Sequence, residues 1–197
     1  MRKVELLLIK DLLLKNRSYR RFYEDEKISK ETLMELMDLA RISSSGGNLQ
    51  SLKYVLSYTE ERNQQVFNNL KWAWYLKDWD GPEKGERPSA YIIMLHDKDI
   101  SNNYFWDHGI AAENILLGAV EKGLGGCMFG SINRLELSKV LDLPSNYEIL
   151  MVIALGTPKE NVILEDIDEN GDIKYYRDEE GNHYVPKRKL QDIVLDI

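Results

Sequence analysis

The stretch from residue 104 to 122 reads as one long helix that is apolar around most of its circumference. Asp107, Ala111, Asn114, Gly118 and Glu121 fall on one stripe, while Phe105, Ile110, Ala112, Ile115, Leu116, Leu117, Ala119 and Val120 fill most of the remainder. Such a helix is buried on most sides. In a chain of 197 residues it is either the centre of the core or a helix shared across a dimer interface. The other elements must be arranged around it.

Ala90 to His96 and Tyr147 to Leu155 are continuous apolar runs short enough to be buried strands, and Tyr54 to Tyr58 is a third strand. Gly125 to Ser131 is a strand or a tight loop. Residues 2–15, with Val4, Leu7, Leu8 and Leu12 at helical spacing, form an amphipathic helix. A second helix starts at Ser29, a good N-cap, with Leu33, Leu36, Met37 and Ala40 on one face. Residues 60 to about 76 predict an aromatic-rich helix, and 134–142 a short one stopped by Pro144. Lys77 to Ser89, rich in charge with two prolines and two glycines, is a surface loop or lid. After Gly156-Thr157-Pro158 the turn signals Asn170-Gly171 and Gly181-Asn182 predict an irregular C-terminal arm with a hairpin, about 160–197. The expectation is a single α+β domain over 1–197.

Charge and composition exclude several classes. A formal net charge of −7 argues against nucleic acid as partner, because a phosphate backbone wants a basic face. One cysteine, Cys127, rules out an intramolecular disulfide, and three scattered histidines give no metal-ligand spacing. Glu5, Lys10 and Asp11 interrupt the apolar N-terminal stretch, and no run approaches the ~20 apolar residues of a membrane span. The expected location is therefore cytoplasmic, with no membrane partner.

Four segments carry chemistry. Arg17-Ser18-Tyr19-Arg20-Arg21 offers guanidinium forks and a hydroxyl suited to a phosphate, or is a solvated turn pairing with Glu24, Asp25 and Glu26. Ser43 to Gln50 combines glycines for close backbone approach with Asn48 and Gln50, which donate and accept; it can read the edge of a heterocycle, or simply join two elements. Gly125 to Ser131 suits a flat ring laid against backbone, or a buried strand with a bulge. Val185-Pro186-Lys187-Arg188-Lys189 is basic and either reaches a phosphate or is solvated. No G-x-G-x-x-G follows a strand, and there is no Walker-type phosphate loop and no G-x-S-x-G elbow.

In their order along the chain these segments resemble the nitroreductase family of FMN-dependent oxidoreductases. The marks are Arg17-Ser18-x-Arg20-x-Phe22, Ser45-x-x-Asn48-x-Gln50 and Asp107-x-Gly109-Ile110-Ala111-Ala112-Glu113-Asn114. Gly123-Leu124-Gly125, Cys127-Met128-Phe129-Gly130 and Ala154-Leu155-Gly156-x-Pro158 follow. The resemblance implies a central, mostly antiparallel sheet flanked by helices, with the long helix at a homodimer interface holding two FMN sites. It places Arg17, Ser18 and Arg20, with Lys187 and Arg188, at the FMN phosphate. Ser45, Asn48 and Gln50 match the segment along the ribityl chain and ring edge, and Phe129 and Gly130 the backbone beside the flavin N5. Three positions depart from the family pattern: Ser51-Leu52 follows Gln50 where Pro and an aromatic are common, Asn16 stands where many members have Arg, and Glu113 replaces a common Gln.

The resemblance implies a hydride passed from NAD(P)H through flavin N5 to an electron-poor acceptor such as a nitroaromatic or quinone, in ping-pong order, with no catalytic side chain. Trp72, Trp74, Tyr75, Trp79 and the 77–89 loop would roof the pocket, or else pack as ordinary core. The alternative is a low-turnover flavin-binding protein of the same fold that carries, senses or modifies flavin.

Overall fold

The structure is a computed structural model and describes residues 8–196. Its elements in chain order are α1 (Ile9–Lys15), α2 (Lys30–Arg41), β1 (Leu52–Ser57), α3 (Glu60–Phe67), β2 (Ala90–Asp97), α4 (Asp107–Glu121) and β3 (Gly125–Phe129). Then come α5 (Arg134–Val140), β4 (Tyr147–Gly156), β5 (Val162–Asp166), β6 (Tyr176–Arg177), β7 (His183–Lys187) and α6 (Leu190–Ile193). The expected N-terminal helix is present from Ile9; its part at Val4 and Leu7 lies outside the described residues.

Four strands form one sheet in the order β1-β2-β4-β3, with every neighbouring pair antiparallel. The apolar runs of β2 and β4 are continuous because both faces of this sheet are covered. Ile92, Met94, Ile153 and Leu155 point to α2 and α4, where Leu33, Leu36, Ile115 and Ala119 meet them. Tyr91, Ile93, Leu95, Val152 and Ala154 point the other way, to Val66 of α3, Leu137 of α5 and Trp72. Each such side chain contributes about 1.5–3 kcal/mol on burial, so the two layers are the main source of stability. The α+β class with a mostly antiparallel sheet is as the sequence predicts, and α4 sits at the centre of one layer.

Three boundaries differ from the sequence reading. The aromatic-rich helix stops at Phe67: Leu70 leaves it to form a bridge with Ile132, and Ala73 takes a φ of 34°, which no helix tolerates. The long helix begins at Asp107 rather than 104, because Phe105 has a φ of 41°. The C-terminal arm is more regular than expected. Its three strands form a second sheet, β5-β7-β6, with β5 and β7 parallel and only β6-β7 a hairpin.

The segment after α1 runs alongside the main sheet. Ser18 bridges Gly126 in parallel, Tyr19 N–H donates to the Gly126 carbonyl at 3.0 Å, and Phe22 bridges Pro158. Gly126 is required there: a Cβ would lie 2.5 Å from the Ala154 carbonyl oxygen and 2.6 Å from Leu116 Cδ2. This close approach fixes the basic segment at the edge of β3.

Candidate cofactor site

Of the cavities beside α4, two are lined by sequence-predicted site residues. The first, of about 300 Å³, is lined by Asn16, Arg17, Ser18, Arg20, Glu113, Leu116, Gly126 to Met128, Tyr175, His183, Val185 and Lys187. It therefore joins the basic segment, the middle of α4, β3 and the small C-terminal sheet. The second, of about 370 Å³, is lined by α2 side chains such as Met34 and Met37, and by Ser43 to Ser45, Gln50, Tyr54, Asp107 and Ala111. No residue lines both.

Arg20 is held from several directions in the first cavity. It is 9% exposed, donates to the Ser18 carbonyl at 3.2 Å, and lies 4.7 Å above the Tyr175 ring. His183 Nε2 is 3.4 Å from its guanidinium. A guanidinium only donates, so Nε2 accepts and the imidazole proton sits on Nδ1. Burial, then Arg20 and Arg177, push the His183 pKa down to about 4, so this ring is neutral at pH 7. Arg17 donates to the Leu13 carbonyl at 2.6 Å, satisfying the end of α1. Arg17 Nε and His183 Nδ1, both buried, have no acceptor among the described residues. Three cations (Arg17, Arg20 and Lys187), the Ser18 hydroxyl and these unmet donors fit a phosphate group.

The departures Asn16 and Glu113 meet in this cavity. Asn16 Nδ2 donates to Glu113 Oε1 at 2.9 Å, a pair that joins the basic segment to α4. Cys127, the lone thiol, is buried, and burial pushes its pKa up, which suits a small apolar wall residue rather than a nucleophile.

In the second cavity the loop from Ser45 to Gln50 is built on left-handed backbone, with φ of 58° at Gly47, 55° at Asn48 and 53° at Gln50. Buried Asp107 holds it, accepting from the Ser45 hydroxyl at 2.6 Å and from Gly46 N–H at 2.8 Å. Ser45 Oγ in turn accepts from Gln50 N–H at 3.0 Å. Ser45 thus supports the loop; the Asn48 residue is exposed and lines neither cavity, while the exposed Gln50 lines the second cavity and donates Nε2 to the Asn48 carbonyl at 3.3 Å. Phe105 packs on Gly46, where a Cβ would come within 2.6 Å of the ring, and Trp106 beside it is 78% exposed.

The remaining sequence-predicted residues are scattered. The Phe129 side chain is buried, its ring 4.6 Å from that of Trp72, so only its backbone is available to a ligand. Gly130 is exposed, and its carbonyl accepts from Arg134 at 3.1 Å. Arg134 also donates to Ile149 and Leu150, whose carbonyls are freed where a bulge between Met94 and Leu95 leaves Leu150 unpaired on β2. Lys187 lines the first cavity; Arg188 is exposed and lines neither. Trp72 packs in the core, Trp79 is half-buried under Arg177, and no residue of 71–89 lines either cavity. The 77–89 loop is instead pinned to the start of the chain, by the Arg21–Glu86 pair and by Gly85 N–H on Glu24.

Among the described residues, no cluster of three or more His, Cys, Asp or Glu is placed to hold a metal ion. No described helix is long and apolar enough to cross a membrane. An antiparallel sheet covered on both faces, with a cation-lined cleft where β3 meets its central helix, defines an α+β protein whose cleft has donors suited to an anion. Residues 13–157 match the model of the Nitroreductase family, and the chain belongs to that family. A candidate NADH dehydrogenase/NAD(P)H nitroreductase of Archaeoglobus fulgidus is 27% identical over 157 residues, covering 76% of this chain and 85% of that protein. Among solved structures, an FMN-dependent nitroreductase of Clostridium difficile R20291 superposes with a TM-score of 0.62 at 22% identity, over 76% of this chain and 87% of the other. A nitroreductase family protein of Clostridium novyi NT superposes with a TM-score of 0.64 at 19% identity, over 78% and 88% of the two chains.

Proposed function

We propose that two copies of this chain form a homodimer with an FMN site at each end of the shared surface, and that the single domain of residues 1–197 works in the cytoplasm. Family membership makes the chain an NAD(P)H-dependent oxidoreductase with FMN as its cofactor. The observation that carries the reading is the first cavity, where Arg17, Ser18, Arg20 and Lys187 converge from the two ends of the chain on a space sized for a phosphate. Arg188, the residue after β7, is exposed outside this wall.

Bound FMN would supply the hydride chemistry linking NAD(P)H to an electron-poor acceptor such as a nitroaromatic or quinone. The residues of the chain bind, orient and exclude water. The Phe129–Gly130 backbone would lie beside the ring, with Arg134 tying the Gly130 carbonyl to the Ile149 and Leu150 carbonyls of β4. The loop with Ser45, Asn48 and Gln50 reads the ribityl chain and ring edge, and because it opens on the other side of α4 it serves the cavity of a second copy. Donors there stabilise negative charge that develops on the ring. With the 77–89 loop pinned away from both cavities, the ring face stays open to NAD(P)H and then to the acceptor in turn. An open face favours turnover over a sealed flavin carrier.

A visible absorbance spectrum of the purified protein, recorded before and after anaerobic addition of NADH and then NADPH, tests this. Flavin bands that bleach with either nucleotide are expected. A protein that takes up no FMN would overturn the proposal, and one that binds FMN without bleaching would leave it a flavin carrier.

A further inference from the structure

Beside the cation-lined cavity sits a carboxylate that does not line it. The Glu160 side chain is fully buried, which is costly for a charge unless it is compensated. Three donors compensate it. The backbone N–H groups of Arg20 and Arg21 both donate to Oε1, the first in a short bond and the second at 3.3 Å, and Arg177 Nη2 donates to Oε2 at 3.0 Å. One carboxylate thus joins the basic segment near the start of the chain to β6 of the small C-terminal sheet. Around it the same two pieces meet again: Tyr175 lies under the Arg20 guanidinium, and His183 stacks on Tyr175 with ring centroids 5.3 Å apart. The far side of Arg177 rests 4.3 Å over Trp79.

A negative charge next to an anion site opposes binding if only its field matters. Its geometry argues for a different role. By taking the backbone N–H groups of Arg20 and Arg21, Glu160 fixes the direction in which the Arg20 side chain leaves the chain. By taking Arg177 it fixes the sheet that brings Lys187. We propose that Glu160 is a positioning residue for the phosphate end of FMN, locking the Arg17–Arg21 segment and the C-terminal sheet into one clamp. The inference rests on the assignment of the first cavity to the FMN phosphate, and it adds a residue and a sign that this assignment does not contain.

The two roles predict opposite outcomes when the charge is removed at constant shape. Glu160→Gln deletes the repulsive charge, so a purely electrostatic Glu160 would let FMN bind more tightly. A positioning Glu160 makes FMN bind more weakly, because the amide NH2 faces donors and the clamp loosens. Dissociation constants for FMN and for riboflavin, which lacks the phosphate, are read by flavin fluorescence on the full-length protein. The expected result is a fall in FMN affinity of about tenfold, the scale of one charge-assisted hydrogen bond, with riboflavin affinity unchanged. Glu160→Ala, which removes the charge and the acceptor together, is expected to act in the same direction and takes the place of Glu160→Gln if that variant does not fold. An FMN-to-riboflavin ratio that stays constant or rises in these variants overturns the inference. Arg20→Ala in the same assay separates the two levels: if it too leaves the ratio unchanged, the phosphate assignment itself fails, whereas a collapsed ratio in Arg20→Ala alone removes only the role of Glu160.

Discussion

The two cavities beside α4 differ in what one chain provides. In the first, the side chains point inward and are braced: Arg20 by Tyr175, Ser18 and His183, and the backbone beneath it by Glu160. In the second, it is the backbone that is prepared. Asp107 holds Ser45 and Gly46, and left-handed residues at 47, 48 and 50 set the loop's shape, but Asn48 and Gln50 stay exposed. Residues held in such conformations cost of order 1–3 kcal/mol each when they are not glycine, and they persist where the surroundings impose them. In the proposed reading, the first cavity holds the phosphate with residues of one subunit, and the second is completed by another copy.

Breaking the first cavity should have the largest effect. Arg20→Ala removes a charged donor and leaves Tyr175 and His183 without the group they pack on. FMN retention should fall about ten- to a hundredfold, the equivalent of roughly 1.5–3 kcal/mol. Equilibrium dialysis against FMN reads this directly. Unchanged retention would mean that the cavity with the better-braced cations is not where the phosphate binds.

Much of this contrast was legible in the sequence, and the reasons for the remainder are physical. The strands β2 and β4 and the helix α4 announce themselves because burial on both sides leaves uninterrupted apolar runs. Arg17, Ser18 and Arg20 stand out as basic residues in an acidic chain, and Ser45 to Gln50 as a loop by its glycines. The end of α3 was not visible, since Leu70, Trp72 and Ala73 continue a helical apolar pattern. Only a bridge to Ile132, far along the chain, diverts them. Glu160 was hidden for a similar reason. Its partners lie 140, 139 and 17 residues away, and nothing local marks one glutamate after a proline as buried. Arg134 gave no signal either, because the carbonyls it satisfies exist only where the bulge in β4 frees them. Local pattern reports local burial; pairings that close over long stretches of chain need the fold.

The second region can be broken without touching the first. Asp107→Ala takes away the acceptor of the Ser45 hydroxyl and of Gly46 N–H, and leaves both donors without their partner. The cost should be about 1–3 kcal/mol of folding stability, measured by urea unfolding. Protease cleavage between Ser43 and Gln50 should rise with it. The FMN-to-riboflavin ratio should stay at the wild-type value, because Asp107 braces the ring-edge loop and not the phosphate cavity. A ratio that fell as it does in Arg20→Ala would erase the distinction between the two regions.

The smallest effect, and the one that sharpens the comparison most, concerns His183. Its pKa is held near 4 in the folded chain against an ordinary value of 6.5, first by burial and then by the cations Arg20 and Arg177. Below pH 6.5 the unfolded chain takes up a proton that the folded chain refuses until about pH 4, so the unfolded state binds more protons across that window. Stability must therefore fall as pH drops from 6.5 towards 4, by about 1 kcal/mol over the first unit and at most about 1.4 kcal/mol per unit below that, and this term levels off about one unit above 6.5. His183→Asn should lack this slope, and the difference between the two proteins in urea unfolding isolates it from the other titrating groups. A phosphate in the first cavity would add negative charge beside the ring and offset the cations that depress it. The slope difference should then shrink when unfolding is repeated with saturating FMN but persist with riboflavin. A slope unaffected by either ligand would place the phosphate away from His183, whatever the affinity of Arg20→Ala.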